Sequence, residues 1–251
     1  MISSLSNYKV KTVRHLQRDR KFRAREKAFV VEGSRWFHEL LGQHSLIRWV
    51  FYTDAWLETA VSIELPAESY LVDDVVMAAM SDTETPSGIL AVAAQPKLPL
   101  PSTLSFALIC DRVTDPGNLG TLLRTAGAAG VEAVFLSPGC VDSYNPKVVR
   151  SSMGAHLRLP VRQWNWPQIQ TAVADMQVLL AVVADGELYT AVDWQQPSAL
   201  VIGSEAHGIG PTAVQMAANR ITIPMHAQTE SLNAAVAAGV ILFEAARQRR
   251  E

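Results

Sequence analysis

From Phe106 onward, apolar runs alternate with helical stretches, and few folds accommodate that pattern. The runs are Phe106 to Cys110, Ala133 to Leu136, Val178 to Val183, Ala199 to Gly203 and Arg220 to Ile223. A strand apolar at every position, rather than at alternate ones, is buried on both faces, as in a parallel sheet covered by helices. The last helix is predicted from Leu232 to about Arg249, and Arg247, Arg249 and Arg250 suit the negative end of its dipole. Pro96, Pro99 and Pro101 forbid a helix or a central strand just upstream, so residues 96–103 read as a linker. It separates an N-terminal domain of residues 1–95 from a C-terminal domain of residues 104–251. In the N-terminal part, short strands at Phe29 to Val31, Trp49 to Tyr52, Ser69 to Val72 and Ile89 to Val92 are interspersed with helical stretches. The helical stretches are Val10 to Arg18, Arg35 to Leu41 and Val75 to Met80, which predicts a smaller α/β domain.

An apolar content of 49% with a net charge of −2 excludes disorder as the main state. The longest strongly apolar stretch, Ala234 to Phe243, has ten residues. It would cross only about half of a ~30 Å hydrocarbon core, so no membrane span is predicted. The first fourteen residues are polar and basic and lack the apolar region of a secretory signal, so a cytoplasmic location is expected. Cys110 and Cys140 stand in apolar runs without paired spacing and read as buried free thiols, with neither a disulfide nor a metal site indicated.

The small net charge conceals a division. Residues 1–35 carry ten cations against Asp19, Glu26 and Glu32, whereas residues 36–103 carry nine acids against Arg48 and Lys97. Cations at this density attract polyphosphate through counterion release, and Lys21, Arg23, Arg25 and Lys27 lie within this segment.

Three loops in the C-terminal half each follow a strand and precede a helix, where open α/β sheets hold ligands. In the first, Asp111 to Ala126, Pro116 and Gly117 form a turn, Asn118 stands as a candidate N-cap, and Arg124 follows about two turns into the helix on a mainly apolar stretch. An arginine there calls for an anion, either a core carboxylate or a substrate phosphate. The second, Leu200 to Pro211, is glycine-rich, but Ile209 and Gly210 stand where a phosphate loop needs Lys and Ser or Thr. Its Gly208-x-Gly210-x-x-Ala213 lies five residues past the strand-ending Gly203, which argues against a nicotinamide dinucleotide site. His207 has no metal-ligand spacing. In the third loop, Ile221 to Ala237, Ser231 and Asn233 sit at a helix start, where side-chain oxygens cap the helix or meet a ligand.

Together the loops resemble the three motifs of the SpoU (TrmH-type) RNA ribose 2′-O-methyltransferases of the SPOUT superfamily. The carriers are Asn118 with Arg124, Gly203-Ser204-Glu205 with its glycine-rich turn, and Ile223-Pro224-Met225 followed by Glu230-Ser231-Leu232-Asn233. Arg150-Ser151-Ser152-Met153-Gly154 is similar to a further family segment, while Ala206 and His207 depart from the Gly-rich consensus after the second-motif glutamate. Phe29 to Gly33 and Thr85 to Ile89 resemble the family's accessory RNA-binding domain, which is related to ribosomal proteins. The resemblance implies an α/β fold with a trefoil-knotted parallel sheet, S-adenosylmethionine as cofactor, and a homodimer with its sites at the subunit interface. It assigns Asn118, Arg124, Glu205, Ser231 and Asn233 to catalysis, and Gly203, Ile223, Met225 and Leu232 to the cofactor pocket. Lys21, Arg23, Arg25, Lys27 and Arg150 are the expected RNA contacts. The implied reaction is methylation of a ribose 2′-hydroxyl, in ribosomal rather than transfer RNA, without a metal; only RNA carries that hydroxyl. The rivals are a knotted methyltransferase acting on a base and a catalytically silent RNA-binding or ribosome-assembly factor on the same fold.

Overall fold

The computed structural model describes residues 1–60, 63–205, 207–226 and 231–250. In chain order the elements are α1 (Tyr8–Arg18), α2 (Arg20–Glu26), β1 (Ala28–Glu32), α3 (Ser34–Leu41), β2 (Ile47–Tyr52), α4 (Asp54–Thr59), β3 (Ser69–Leu71), α5 (Asp74–Met80) and β4 (Ile89–Ala94). There follow β5 (Phe106–Asp111), α6 (Pro116–Ala129), β6 (Ala133–Leu136), α7 (Pro146–Ser152), β7 (Val161–Gln163), α8 (Trp166–Ala172) and β8 (Gln177–Ala181). The chain ends with β9 (Glu187–Leu188), β10 (Ser198–Gly203), α9 (Pro211–Met216), β11 (Asn219–Thr222) and α10 (Ala234–Gln248). It divides into two compact units, residues 1–97 with 144–157, and residues 98–143 with 158–251. The units are thus not consecutive in sequence, because residues 144–157 leave the second and pack within the first.

In the first unit the sheet order is β1-β4-β2-β3, antiparallel except for the parallel β2–β3 pair. Alternation along β1 and β4 supplies two cores. Ala28, Val30, Leu90 and Val92 face α1 and α5 through Val13, Leu16, Met77 and Met80. Phe29, Val31, Ile89 and Ala91 face α3 through Trp36, Phe37 and Leu40. α7 joins this second core through Val149, whose carbonyl accepts a 2.6 Å hydrogen bond from Trp36 Nε1. α2 escapes sequence periodicity because it is short and strongly charged. The Asp19 carboxylate starts it by accepting from the amides of Lys21 and Phe22.

The second unit is a seven-stranded, all-parallel sheet in the order β7-β6-β5-β10-β8-β11-β9. All five apolar runs of the C-terminal half are strands here. β10 enters between β5 and β8, and β11 between β8 and β9, so late strands separate earlier ones. β7 and β9, of three and two residues, are edge strands too short to show a pattern. Cys110 and Cys140 are buried free thiols, and burial pushes both thiols up. Among the described residues no helix is long and apolar enough to cross a membrane.

Candidate functional site

The carboxyl ends of β5, β8 and β10 and the amino end of α10 meet in the second unit. β10 stops at Gly203 because the chain turns back on itself there. Ser204 and Gly208 form an isolated antiparallel bridge, with backbone hydrogen bonds of 3.2 and 2.8 Å. A Cβ on Gly203 would lie 2.5 Å from the Gly208 carbonyl carbon, so only glycine admits this turn. The turn is anchored from below by Asp111, which is buried at 1% exposure. Its Oδ2 accepts from the Gly210 amide at 2.6 Å, and its Oδ1 from the Ser137 hydroxyl at 3.0 Å. A buried carboxylate with both oxygens satisfied thereby fixes the loop that carries Glu205.

α6 begins at Asp115, whose side chain accepts from the Asn118 amide at 2.7 Å. Asn118 is therefore the third residue of the helix and not its cap, and this frees its own side chain. That side chain accepts at Oδ1 from Asn233 Nδ2 at 3.0 Å. The other Nδ2 hydrogen of Asn233 goes to Glu205 Oε1 at 2.5 Å, and the Ala234 amide reaches the same oxygen at 3.3 Å. Asn233 Oδ1 meanwhile caps α10 by accepting from the amides of Ala235 and Val236. One asparagine thus ends one loop, starts one helix and ties the three motifs together. Glu205 is held at the amino end of α10, where the helix dipole favours a negative charge. α6 and α10 pack side by side, with Gly239 of α10 facing Thr125 of α6.

Beside this cluster opens a cavity of ≈ 600 Å³ walled by Leu180, Val182, Ile202, Ile209, Val214 and Leu232, with Gly203, Glu205, Ser231 and Asn233 among its polar and backbone lining. Ile223 and Met225 line a smaller cleft of ≈ 40 Å³ that shares Ser231 and Leu232 with it. A third cleft, of ≈ 440 Å³, shares Leu180, Val214 and Arg220 with the main cavity and adds Asp185 and Glu187. Residues 180 to 183 line this cavity and escape motif reading; the apolar run that continues past the end of β8 is their signal in the sequence. Arg124 stands on α6 outside these cavities. It is exposed and its side chain makes no hydrogen bond or ion pair among the described residues, so no described core carboxylate holds it. His207 is exposed in the loop. Ala206 and Glu230 lie outside the described residues. Among the described residues no three His, Cys, Asp or Glu are grouped as metal ligands.

In the first unit, Lys21, Arg25 and Lys27 are exposed. Arg23 is not: it is 4% exposed, and its guanidinium donates to the carbonyls of Leu16 and Gln17 at 2.7 and 3.2 Å. Its charge satisfies the last turn of α1 instead of facing solvent, which corrects its expected place among the RNA contacts. Arg150 is paired with Asp82 at 2.8 Å.

Comparison with known proteins supports the same reading in both units. The model of the SpoU rRNA Methylase family matches residues 105–243, and that of the MRM3-like substrate binding domain matches residues 7–91. The chain is 34% identical to an uncharacterized tRNA/rRNA methyltransferase, slr1673, of Synechocystis, over 99% of this chain and 94% of that protein. It is 32% identical to the 23S rRNA (guanosine(2553)-2′-O)-methyltransferase RlmP of Bacillus subtilis, over 96% of this chain and 97% of the relative. The AdoMet-bound rRNA methyltransferase from Sinorhizobium meliloti aligns with a TM-score of 0.83 at 29% identity, covering 98% and 97% of the two chains.

Proposed function

The chain belongs to the SpoU rRNA methylase family, and on that premise we propose that it methylates a ribose 2′-hydroxyl of ribosomal RNA. The observation that carries this is the Asn118–Asn233–Glu205 cluster at the edge of a ≈ 600 Å³ cavity. S-Adenosylmethionine is a nucleoside joined to a charged amino acid, and the cavity suits it, with apolar walls and Glu205 and Arg220 as its charged lining. Gly203 and Leu232 would hold it in the main cavity, and Ile223 and Met225 from the adjoining cleft. When bound, it supplies a methyl group on a sulfonium, an electrophile that needs no metal.

The chain's own task is to bring a weak nucleophile into line and relieve it of a proton. Glu205 Oε1 is engaged by Asn233 and Ala234, which leaves Oε2 without a partner among the described residues and able to accept the hydroxyl proton's hydrogen bond. Asn118 and Asn233 keep that carboxylate from rotating, and the Ser231 hydroxyl adds a further polar group to the cavity lining. A guanidinium holds its proton in water at any ordinary pH and is a poor base. Arg124 is therefore read as the group that grips a phosphate beside the target ribose.

RNA reaches the first unit through Lys21, Arg25 and Lys27, an arrangement supported by their exposure and by the match to a substrate binding domain. A homodimer is supported by an exposed apolar stripe on α10, where Val236, Val240 and Phe243 recur at helical spacing and are 52%, 38% and 50% exposed. Family membership also implies that the insertion of β10 and β11 between earlier strands closes a trefoil knot.

The deciding experiment is calorimetric titration with S-adenosylmethionine, using Leu232→Trp as the filled-cavity control, followed by nucleoside mass spectrometry of treated ribosomal RNA. A 2′-O-methylnucleoside formed by the wild type and not by the control is the expected result. A base-methylated product, or cofactor-independent RNA binding alone, would refute it.

A further inference from the structure

Interior strands of a covered parallel sheet are apolar on both faces, and β11, which lies between β8 and β9, departs from this rule in its first half, where Asn219 and Arg220 are exposed. Ile221 is fully buried, while its neighbour Arg220, whose side chain projects from the opposite face, is exposed. The Arg220 side chain makes no hydrogen bond or ion pair among the described residues. It lines both the main cavity and the ≈ 440 Å³ cleft beside it, and Leu180 and Val214 are also shared, so the two spaces adjoin along Arg220. Glu205 is the other charged residue lining the main cavity among the described residues, and its Oε1 is already engaged by the α10 amino end. The adjoining cleft adds two carboxylates, Asp185 and Glu187. An unpaired guanidinium next to two carboxylates, at the boundary of an apolar cavity, is complementary to a zwitterion attached to a nucleoside.

We propose that Arg220 binds the carboxylate at the methionyl end of S-adenosylmethionine, with the nucleoside in the main cavity and the amino-acid end extending into the adjoining cleft. This rests on the cofactor reading above and deepens it. The guanidinium presents parallel N–H donors that match a carboxylate in two-pronged fashion. Asp185 and Glu187 offer acceptors for the α-ammonium. Arg220 is then a specificity residue: it favours ligands that carry the whole amino acid over those that carry the nucleoside alone.

Two neutral thioethers separate these contributions: S-adenosylhomocysteine, which keeps the amino acid, and 5′-methylthioadenosine, which lacks it. In calorimetric titrations of the full chain, Arg220→Ala is expected to weaken S-adenosylhomocysteine by about tenfold to a hundredfold, the range of a charge-assisted pair, and to leave 5′-methylthioadenosine unchanged. Arg220→Lys, which keeps the charge and loses the fork, should recover part of the loss. Equal weakening of both ligands would place Arg220 against the nucleoside and overturn the assignment, as would no weakening of either. A wild-type chain that binds neither compound would instead overturn the cofactor reading on which the assignment rests.

Discussion

The side-chain amide of Asn233 donates to the Glu205 carboxylate across 2.5 Å, joining residues 28 positions apart in the chain. The same amide reaches Asn118, and the carbonyl of that side chain caps α10. Both polar side-chain atoms of Asn233 are thus committed, so the orientation of Glu205 is set by the start of a helix.

Replacing the charge without the shape tests what Glu205 does. In Glu205→Gln the amide oxygen still accepts from Asn233 at Oε1, so the fold and cofactor affinity should persist. Loss of the second carboxylate oxygen should lower single-turnover methyl transfer by about a hundredfold or more, the usual contribution of a positioned proton acceptor. A rate equal to wild type, in protein with unaltered cofactor affinity, would remove the carboxylate from the chemistry. Asn233→Ala should lower both rate and melting temperature, since loss of a helix cap alone costs about 0.5–2 kcal/mol.

Gly203→Ala adds one methyl group where the Gly208 carbonyl carbon stands 2.5 Å away. Backbone cannot swing aside as a side chain can, so the turn must open, at a cost of about 1–3 kcal/mol. The expected outcome is a chain with native far-ultraviolet circular dichroism whose calorimetric heat with S-adenosylmethionine is abolished. Unchanged heat would mean that the turn has slack and that the cavity does not depend on it.

The site is legible in the sequence where its chemistry is rare for its position. Asn118, Glu205, Ser231 and Asn233 stand out because polar side chains directly beyond apolar strands need a reason to be there. The N-cap of α6 lies three residues before the expected one because Asp115 and Asn118 are both competent caps, and only the fold shows which side chain meets the amide of N3. Leu180 and Val182 are invisible to motif reading because an apolar wall has the same composition as a core. Arg23 misleads for a related reason: charge density along a chain reports cations without reporting that one of them turns inward to satisfy the carbonyls of Leu16 and Gln17. The placement of residues 144–157 in the first unit depends on hydrogen bonds from Trp36 and Gln43 to the carbonyls of Val149 and Leu157, more than a hundred positions away and beyond the reach of local periodicity.

The distinction between Arg23 and its neighbours can be measured. Lys21→Gln, Arg25→Gln and Lys27→Gln combined should weaken binding to ribosomal RNA fragments. They should also flatten the salt dependence by about 0.7 in logarithmic slope for each phosphate of single-stranded RNA that is no longer neutralised. Arg23→Ala should do the reverse, lowering the melting temperature while leaving the salt slope in place. A flattened slope for Arg23→Ala in folded protein, or an unaltered slope for the triple variant, would place the RNA on another surface.

The apolar stripe of α10 sets the last expectation. Val236, Val240 and Phe243 are exposed on a helix that packs along α6, the element that carries both Asn118 and Arg124. Arg124 is exposed on α6 and makes no bond to its own Asn118–Asn233–Glu205 cluster. Pairing two copies through α10 would cover the stripe and bring α6 of each near the other, so a site's guanidinium could come from the partner. Val240→Asp with Phe243→Asp places charges in the middle of that stripe, and burying an unpaired charge is prohibitive. If the proposed homodimer forms through this stripe, light scattering should find a dimer for the wild type and a monomer for the variant at the same concentration, with melting of the monomer still cooperative. If S-adenosylmethionine binding survives in that monomer while methyl transfer is lost, the cavity is complete in one chain and the phosphate-gripping guanidinium is supplied across the interface. A variant that stays dimeric would show that another surface joins the two chains, and a monomer with full transfer would show that one chain suffices.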